Sequence, residues 1–357
     1  MKAIMRPARF NIILSTVAAL AVAGMLVIRS RQPAAVPPPV ERLWPVMGTF
    51  ASVTLRGDDA GHLEWAAGET TRLMDEFNRL MSVYIPDSEL SQLNASTNPV
   101  HISPQTREML VLARHYTRLS GSAFDPTAMP LIRLWGFSGG RIPEALPTED
   151  AIAAAKAYTG IDKLEIASDS ARFTEPGVMM DLGGIAKGFA VDRCYEAVIG
   201  QRALNAIFNL GGNIRCHGRA EPDRAWRIGV QHPFDHARSL GTLELQSGMA
   251  VATSGNYERF VTINGKRYAH IIDPRSGLPV EGMAGVTVLS RSATEADALS
   301  TALFVLGIEG AAELLARTPD SHALLIPDRQ PVEIHVSKGL LPLFTPHPEF
   351  KAAIRPL

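Results

Sequence analysis

An Asn-Gly pair, Asn264 and Gly265, is the feature of this sequence that most restricts its fold. It separates two runs with strand-like composition, Tyr257–Ile263 and Lys266–Ile272. A two-residue turn between such runs needs a positive φ at both central residues, which Asn and Gly tolerate best. The pair therefore predicts an antiparallel hairpin and argues against a fold built only of parallel βαβ units.

The rest of the chain mixes helical and strand patterns. Apolar residues at helical spacing predict helices over His62–Met81, Pro104–Ser120, Ala151–Thr159, the segment after Gly184, and the segment from the capping box Ser292–Glu295 to Gly307. Strands are predicted at Val46–Leu55, Val178–Met180, Ala206–Leu210 and Val286–Leu289. Because helices and hairpins interleave without strict βαβ alternation, we expect an α+β fold with antiparallel sheets and packed helices.

The N-terminal region carries an uncharged run, residues 10–28 (FNIILSTVAALAVAGMLVI), with basic residues on both sides. The run is long for the core of a signal peptide and about long enough to span a bilayer. No cysteine follows it for lipid attachment, no Arg-Arg pair precedes it for twin-arginine export, and no clear cleavage site lies after it. We predict an uncleaved signal-anchor with its N-terminus in the cytoplasm; a buried core helix is the alternative.

A proline-rich stretch, Gln32–Pro39, follows the apolar run. Such a stretch is stiff and extended, so it would hold the remaining chain away from a membrane surface. The predicted organisation is a signal-anchor at 1–31, a proline-rich linker at 32–44, a catalytic domain at 45–345 and a C-terminal tail at 346–357.

Charge and cysteine content exclude two classes of protein. The first 31 residues hold five basic side chains and no acidic one, which leaves 30 basic and 36 acidic residues, a net of −6, in the rest. A body that acidic is poorly suited to nucleic acid, which is bound through basic patches. Cys194 and Cys216 fit no zinc pattern and cannot form a disulfide-dense scaffold. We expect two buried free thiols; one disulfide stays open if the body is exported.

A glycine pair, Gly183 and Gly184, lies between Asp181 and Lys187 at the start of a predicted helix. The segment lacks the Lys and hydroxyl residue that complete a common phosphate loop. It nevertheless offers a carboxylate, a cation and free backbone N–H groups, which suit a ribose or phosphate ligand. A tight turn from strand to helix explains the same residues equally well.

Asp297 and Thr301 are four residues apart on the capped helix, so they share one face. A carboxylate and a hydroxyl one turn apart suit a hard cation such as Mg²⁺, which prefers oxygen ligands. Their neighbours on the helix are apolar, and an acidic side chain in such a setting usually has a partner. A solvated helix face is the alternative.

A third polar cluster follows the predicted hairpin, where His270 precedes a turn that carries Asp273 and Arg275. A histidine at the mouth of a turn can act as an acid, a base or a phosphate partner. The end of a surface hairpin is the simpler interpretation of this segment alone.

Eight segments in order resemble the ApbE-type FAD:protein FMN transferases. They are MGTF (47–50), SVYIPDSELSQLN (82–94), FDPTAMPLIRLWGF (124–137), DLGGIAKGFAVD (181–192), NLGGNI (209–214), ATSGNYERF (252–260), GKRYAHIIDPRSGLPV (265–280) and VTVLSRSATEADALSTALFVLG (286–307). The resemblance covers about residues 45–345. It implies an ApbE-like mixed fold and Mg²⁺-dependent cleavage of FAD. The FMN half is then attached through a phosphoester to a Ser or Thr of a target flavoprotein, and AMP leaves.

The resemblance also assigns residues. Those it places at the bound FAD are Met47 by the isoalloxazine, Tyr84 as a ring stacker, the segment Phe124, Asp125 and Pro126, Asp181 and Lys187 on the adenosine side, and Ile271. The metal ligands it implies are the carbonyl of Gly184 with the side chains of Asp297 and Thr301, and His270 is the turn histidine. His270 would take the hydroxyl proton or protonate the leaving AMP, and Lys187 and Arg275 would offset phosphate charge.

Three functions remain in competition at this point. They are the transferase, an FAD pyrophosphatase with the same site that releases FMN and AMP, and a non-catalytic membrane-tethered flavin-binding module. The resemblance implies two partners, FAD and a target flavoprotein of a respiratory or redox membrane complex. We expect the chain in a bacterial inner membrane with its catalytic domain on the periplasmic side, or exported if the signal is cleaved.

Overall fold

The computed structural model describes residues 36–138, 143–200 and 204–357. The predicted signal-anchor and the start of the linker lie outside the described residues. The strands are β1 (Val40–Val46), β2 (Thr49–Arg56), β3 (Val100–His101), β4 (Leu164–Ile166), β5 (Ser170–Phe173), β6 (Asn205–Leu210), β7 (Asn213–His217), β8 (Trp226–Gln231), β9 (Ser239–Leu245), β10 (Ala250–Gly255), β11 (Phe260–Ile263), β12 (Lys266–Ala269), β13 (Ile272–Asp273), β14 (Leu278–Pro279), β15 (Met283–Ser290), β16 (His322–Pro327), β17 (Ile334–Val336), β18 (Phe344–Pro346) and β19 (Ile354–Pro356).

The α-helices are α1 (Ala60–Met81), α2 (Glu89–Ala95), α3 (Pro104–Leu119), α4 (Met129–Leu134), α5 (Glu149–Lys156), α6 (Ala186–Ile199) and α7 (Ala293–Ala316). Short 3-10 turns lie at Pro126–Ala128, Ile161–Lys163 and Pro348–Ala353.

A nine-stranded sheet organises the described chain, with the order β1-β2-β6-β7-β10-β15-β16-β17-β19. Its pairs are antiparallel except for β17 with β19, which run parallel. Helices α1, α6 and α7 cover one face, and the three-stranded sheet β18-β9-β8 covers part of the other. Every residue of β15 is buried because this strand is covered on both faces. The fold is therefore α+β, as the sequence predicts.

Local sequence signals account for several of these elements. Asn264 and Gly265 adopt φ of 51° and 79° and join β11 to β12, which confirms the predicted hairpin. Ser292 caps α7 by accepting a hydrogen bond from the Glu295 N–H at 3.2 Å. The Glu295 carboxylate turns away from Ser292 and accepts from Ser290 and Ser321, so the reciprocal half of the predicted capping box does not form.

Other predictions need correction. The predicted strand Val46–Leu55 is two strands, because Met47 and Gly48 form a tight turn with φ of 51° and 70°. Val178–Met180 does not form a strand; the side-chain amide of Asn94 pairs with both backbone groups of Met180 at 2.8 Å.

Two predicted boundaries fall inside regular structure. Strand β1 begins within the segment that the sequence assigns to the linker, and β19 lies within the segment 346–357 that it assigns to a tail. The predicted helix end at Gly307 coincides with a kink in α7, where the backbone is non-helical with φ of 66°, and a second helical segment follows to Ala316.

Among the described residues, α7 is the one helix long and apolar enough to cross a membrane, by length and composition alone. It packs against α6 and against strands β10 and β15, and twelve of its residues are buried in the core. This is the environment of a core helix. Cys194 and Cys216 are buried free thiols, as expected from the sequence.

Candidate active site

A cavity of about 420 Å³ opens where several loops meet the helical side of the large sheet. Its walls come from the β1–β2 turn, the segment after α1, the loop before α6, the end of β10, the segment before β13 and one face of α7. The sequence-predicted residues that line it are Met47, Tyr84, Phe124, Asp125, Pro126, Asp181, Gly184, Lys187, His270, Ile271, Asp297 and Thr301. Residues far apart in the sequence therefore share one cavity.

Asp297 is a buried carboxylate of this cavity, with 5% of its surface exposed. Its Oδ2 accepts the backbone N–H of Gly188 at 2.9 Å, and its Oδ1 lies 3.9 Å from Lys187 Nζ. Burial raises the pKa of Asp297, and the Lys187 charge opposes that shift. A carboxylate held this deep gains from a further cation beside it.

Thr301 and Gly184 lie next to each other at the same end of the cavity. A Cβ added to Gly184 would lie 3.3 Å from Thr301 Oγ1 and 3.3 Å from the Phe124 ring, so only glycine leaves this space free. Thr301 Oγ1 is 3.4 Å from Ser254 Oγ. Gly184 and Thr301 are therefore close neighbours in the cavity wall.

This donor set fits a hard cation. The described ranges hold no group of three or more His, Cys, Asp or Glu side chains placed for a metal ion. One buried carboxylate, one hydroxyl and one nearby backbone carbonyl are oxygen donors, which Mg²⁺ prefers, and Mg²⁺ commonly takes its remaining ligands from water and substrate phosphates. The residues present therefore suit Mg²⁺ and do not suit a zinc site.

Lys187 and Asp181 lie on the loop and first turn that open α6. Lys187 Nζ donates to the Gly183 carbonyl at 2.7 Å, and Asp181 Oδ1 accepts the Gly183 N–H at 2.9 Å. The carbonyl of Gly183 thus binds the Lys187 ammonium, and the N–H of Gly183 binds the Asp181 carboxylate. The loop is a tight turn at the start of α6 and forms part of the cavity wall, and its binding of a ribose or phosphate stays a prediction.

His270 lines the same cavity as Asp297 and Thr301 of α7. Its Nδ1 and its backbone N–H are both 3.2 Å from the carbonyl of Arg259. A carbonyl only accepts, so Nδ1 carries the proton and Nε2 keeps a free lone pair. Burial lowers the pKa of His270 to about 4; the hydrogen bond to the Arg259 carbonyl opposes this shift, and the charges of Arg259 and Lys187 contribute to it. The imidazole is therefore a neutral proton acceptor at physiological pH.

The opposite part of the cavity offers apolar and aromatic surface. Tyr84 is 62% exposed at the mouth, while Phe124 is buried deeper in the wall. Met47 occupies the β1–β2 turn, and Ile271 follows the histidine. An exposed aromatic ring at a cavity mouth is suited to stacking against a planar ligand.

Asp125 is tied to the protein and faces the cavity only in part. Its Oδ1 accepts from the N–H of Thr127 at 2.9 Å and from the Thr127 hydroxyl at 2.6 Å. Burial raises its pKa, and the Thr127 bonds oppose that shift. These contacts cap the 3-10 turn that begins at Pro126, so the segment is held in a fixed conformation beside the cavity.

One predicted residue lies elsewhere. Arg275 does not line the cavity; its guanidinium pairs with Asp273 through two contacts of 2.9 Å. The arginine that lines the cavity is Arg259, together with Glu258. Both belong to the segment ATSGNYERF, and the β11–β12 hairpin that the Asn-Gly pair predicts brings Arg259 next to His270.

A family model for the ApbE family matches residues 47–326. The chain belongs to the ApbE family. Curated relatives named FAD:protein FMN transferase include one from Haemophilus influenzae, 36% identical over 255 residues, which are 69% of this chain and 74% of the relative. Another, from Vibrio cholerae, is 37% identical over 244 residues, 68% of this chain and 73% of the relative.

Solved ApbE structures share the fold. The flavin transferase ApbE from Vibrio cholerae aligns with a TM-score of 0.75 at 32% identity, over 86% of this chain and 100% of that one. The ApbE protein from Thermotoga maritima aligns with a TM-score of 0.79 at 28% identity, over the same shares of the two chains. The mixed α+β architecture is thus that of the ApbE family.

Proposed function

We propose that this chain is an FAD:protein FMN transferase that joins FMN through a phosphoester to a Ser or Thr of a target flavoprotein and releases AMP. The observation that carries the proposal is the single cavity that brings Asp297, Thr301 and Gly184 together with Lys187 and a neutral His270. Relatives that cover most of this chain carry the same name.

Mg²⁺ would be held by the Asp297 carboxylate, the Thr301 hydroxyl and the Gly184 carbonyl. When bound, it would neutralise charge on the pyrophosphate and orient it for displacement. Phosphoryl transfer depends more on charge neutralisation and in-line placement than on a strong nucleophile in the enzyme. A site with one carboxylate and several neutral oxygens meets that need.

The protein's own residues would perform the remaining work. Lys187 would bind phosphate oxygen, since this residue of the first turn of α6 lines the cavity and its ammonium lies beside the Gly183 carbonyl. The acceptor hydroxyl oxygen forms a bond to the phosphorus of the FMN half, and the bond from that phosphorus to the bridging oxygen breaks, so AMP leaves with that oxygen. Nε2 of His270 would accept the hydroxyl proton, because its lone pair is free.

The flavin ring and the adenosine of FAD would contact different walls of the cavity. Met47, Tyr84, Phe124 and Ile271 offer the apolar and aromatic contacts that a flavin ring needs. Asp181 would serve the adenosine side, and the segment Asp125–Pro126 would support the wall between them. Cofactor-binding roles for these residues follow from their place in the cavity and from the family resemblance.

The direct test is to incubate the full chain in detergent with FAD, Mg²⁺ and a Ser- or Thr-containing peptide from a candidate flavoprotein. We expect the peptide to gain the mass of one FMN unit and AMP to appear in equal amount. FMN and AMP without a modified peptide would instead support the pyrophosphatase. FAD binding with no product under either condition would support a non-catalytic module.

Asp297→Asn tests the metal role of the carboxylate. The amide oxygen can still accept from Gly188, so the fold should persist, and loss of a buried charge should not lower the melting temperature. We expect Mg²⁺-dependent transfer to fall by about 100-fold or more, since the charged ligand is lost. The rate is measured against Mg²⁺ concentration.

Glu295→Gln is the matched control, because Glu295 is on the same helix but faces Ser290 and Ser321. It should retain the wild-type response to Mg²⁺. Wild-type transfer by Asp297→Asn at low Mg²⁺ would contradict the ligand role, and a large fall in melting temperature with activity retained would make Asp297 a structural residue.

The location and partner of the enzyme are also proposals. The uncharged run at 10–28 and the proline-rich stretch that follows support a chain anchored in a bacterial inner membrane, with residues 45–345 as a periplasmic catalytic domain. A target flavoprotein in a membrane redox complex would then meet the enzyme on the same side of the membrane.

A further inference from the structure

Asp192 is a buried carboxylate on α6 that lies outside the cavity wall, with 2% of its surface exposed. Its two oxygens accept five hydrogen bonds. Oδ1 accepts from the Ala293 N–H at 2.8 Å and from Arg215 at 2.7 Å. Oδ2 accepts from the Ser292 hydroxyl at 2.7 Å and from the N–H and hydroxyl of Thr294 at 2.9 and 2.7 Å. A carboxylate has about four lone-pair sites, so this one is fully used.

Four of these five bonds come from the first residues of α7. The N–H groups at the start of a helix lack partners within the helix and carry its partial positive charge. Asp192 satisfies two of them from a neighbouring helix, while Ser292 caps a third, that of Glu295. Arg215, on β7, neutralises the same carboxylate and stacks on Tyr195 with 3.9 Å between guanidinium and ring centre. The carboxylate therefore joins α6, α7 and the sheet.

The contact with the active site lies one helical turn away from Asp192 on α6. Gly188 is four residues before Asp192, on the same face of α6, and its N–H donates to Asp297 Oδ2 at 2.9 Å. A Cβ on Gly188 would lie 2.1 Å from the Ala293 carbonyl oxygen and 2.8 Å from Asp297 Cβ. The two helices thus touch at Gly188, and the Asp192 bonds hold the same crossing one turn further along.

We propose that Asp192 is a positioning residue for the transfer reaction. It fixes the start of α7 against α6, so that Oδ2 of Asp297 stays on the Gly188 N–H and Oδ1 stays directed toward Lys187. Asp192 touches neither the cavity nor its proposed ligands. The inference rests on the proposed function, because it assigns to Asp297 the role of a cation ligand.

The experiment uses the full chain in detergent and three variants. Asp192→Asn keeps the shape of the side chain, but its NH₂ group cannot accept, so bonds to α7 or to Arg215 are lost. Thr294→Val removes one hydroxyl bond to Asp192 and keeps the side-chain volume. Glu295→Gln perturbs the same helix through Ser290 and Ser321, away from α6. The readouts are Mn²⁺ affinity by electron paramagnetic resonance in the presence of FAD, melting temperature, and kcat and KM for transfer.

We expect Asp192→Asn to weaken Mn²⁺ affinity by about 10- to 100-fold, the usual cost of losing a group that orients a ligand. Thr294→Val should shift the affinity in the same direction by less. Glu295→Gln should lower the melting temperature and leave Mn²⁺ affinity unchanged. For Asp192→Asn, we expect the loss of kcat at saturating metal to be smaller than the loss of Mn²⁺ affinity.

Wild-type Mn²⁺ affinity in a folded Asp192→Asn variant with a lowered melting temperature would overturn the proposal and make Asp192 purely structural. An equal loss of Mn²⁺ affinity in Glu295→Gln would also overturn the proposal, because any change that loosens α7 would then weaken metal binding. If Asp192→Asn does not fold, unchanged affinity in Thr294→Val overturns the proposal. Failure of the wild-type chain to bind Mn²⁺ would instead contradict the proposed metal site itself.

Discussion

The sequence allows His270 to act as a proton donor or as a proton acceptor, and the structure favours one of these two roles. A histidine can give or take a proton, and the sequence allows either role. Its Nδ1 faces the Arg259 carbonyl, and burial among positive charges keeps its pKa near 4. The neutral ring with a free Nε2 favours the base over the acid.

His270 therefore gives a prediction about pH. In the free enzyme, the ring should titrate at about pH 4 instead of the ordinary 6.5, measured from its NMR chemical shift. Since the neutral form accepts the proton, kcat/KM should be lost as the pH falls through the lower value. The unfolded chain binds the proton at higher pH, so stability should also fall as the pH drops from about 6.5 toward 4.

Substitution separates proton transfer from binding. His270→Ala and His270→Asn should both lower turnover by about 10²- to 10⁴-fold, because an amide cannot carry the proton. FAD affinity, followed by fluorescence, should change little. Rescue by Asn, or a loss of affinity in step with the rate, would show that His270 only holds a phosphate. A normal rate would place it outside the chemistry.

Side-chain spacing predicted part of the site and missed the rest for a physical reason. Asp297 and Thr301 could be paired from the sequence because positions four apart share a helix face. The contact of Asp297 with Gly188 could not, since it joins residues more than 100 positions apart. The sequence offered Arg275 as a cation for phosphate, but Arg275 pairs locally with Asp273 and does not line the cavity, whereas Arg259 does.

At the scale of elements, the crossing of α6 and α7 is the contact on which the proposed metal ligands depend. Gly188→Ala should disrupt it, because the new Cβ would meet the backbone oxygen of Ala293 at 2.1 Å, which no rotamer change can relieve. Overpacking of this kind costs about 1–3 kcal/mol. We expect a lower free energy of unfolding, measured in urea, together with loss of Mg²⁺-dependent transfer.

Gly68→Ala on α1 is the control. The nearest atom to its Cβ would be 3.9 Å away, at the end of the Arg42 side chain. In a helix interior with space, the change from Gly to Ala should add about 0.5–1 kcal/mol of stability. Equal stability losses in the two variants would show that the Gly188 contact is not specific.

Turns and strands whose own residues carry a sequence signal can be predicted, whereas those whose conformation depends on residues distant in the sequence cannot. The β11–β12 turn has the Asn-Gly pair that its backbone requires. The β1–β2 turn has the same kind of backbone but uses Met47, a residue that rarely takes positive φ, so the hairpin was predicted as one strand. Strain at a residue that lines the cavity is a frequent trait of functional turns.

The whole molecule is organised by pairings that no local pattern contains. The large sheet places β7 beside β10 and β17 beside β19, with other elements between them in sequence. Segment 346–357 is predicted as a C-terminal tail, yet Ile354 pairs with Ile334 in the sheet. The α+β class was predictable from interleaved helices and hairpins, whereas the strand order needed the three-dimensional structure.

The last prediction concerns how the molecule associates with a membrane. Residues 10–28 would extend about 28 Å as a helix, close to the thickness of the hydrocarbon core, and the rest of the chain is too acidic to bind anionic lipid by charge. Deletion of residues 1–31 should therefore abolish membrane association that resists carbonate extraction.

The truncated chain retains α7, the apolar helix of the described region, so the comparison also tests whether α7 belongs to the core. Ala19→Arg is a milder variant, because one arginine at the centre of a spanning helix costs about 2.5–3.5 kcal/mol of insertion energy. It should reduce the membrane fraction without affecting FAD binding. If the chain without residues 1–31 still sediments with carbonate-washed membranes, the anchor lies elsewhere and α7 becomes the first segment to examine.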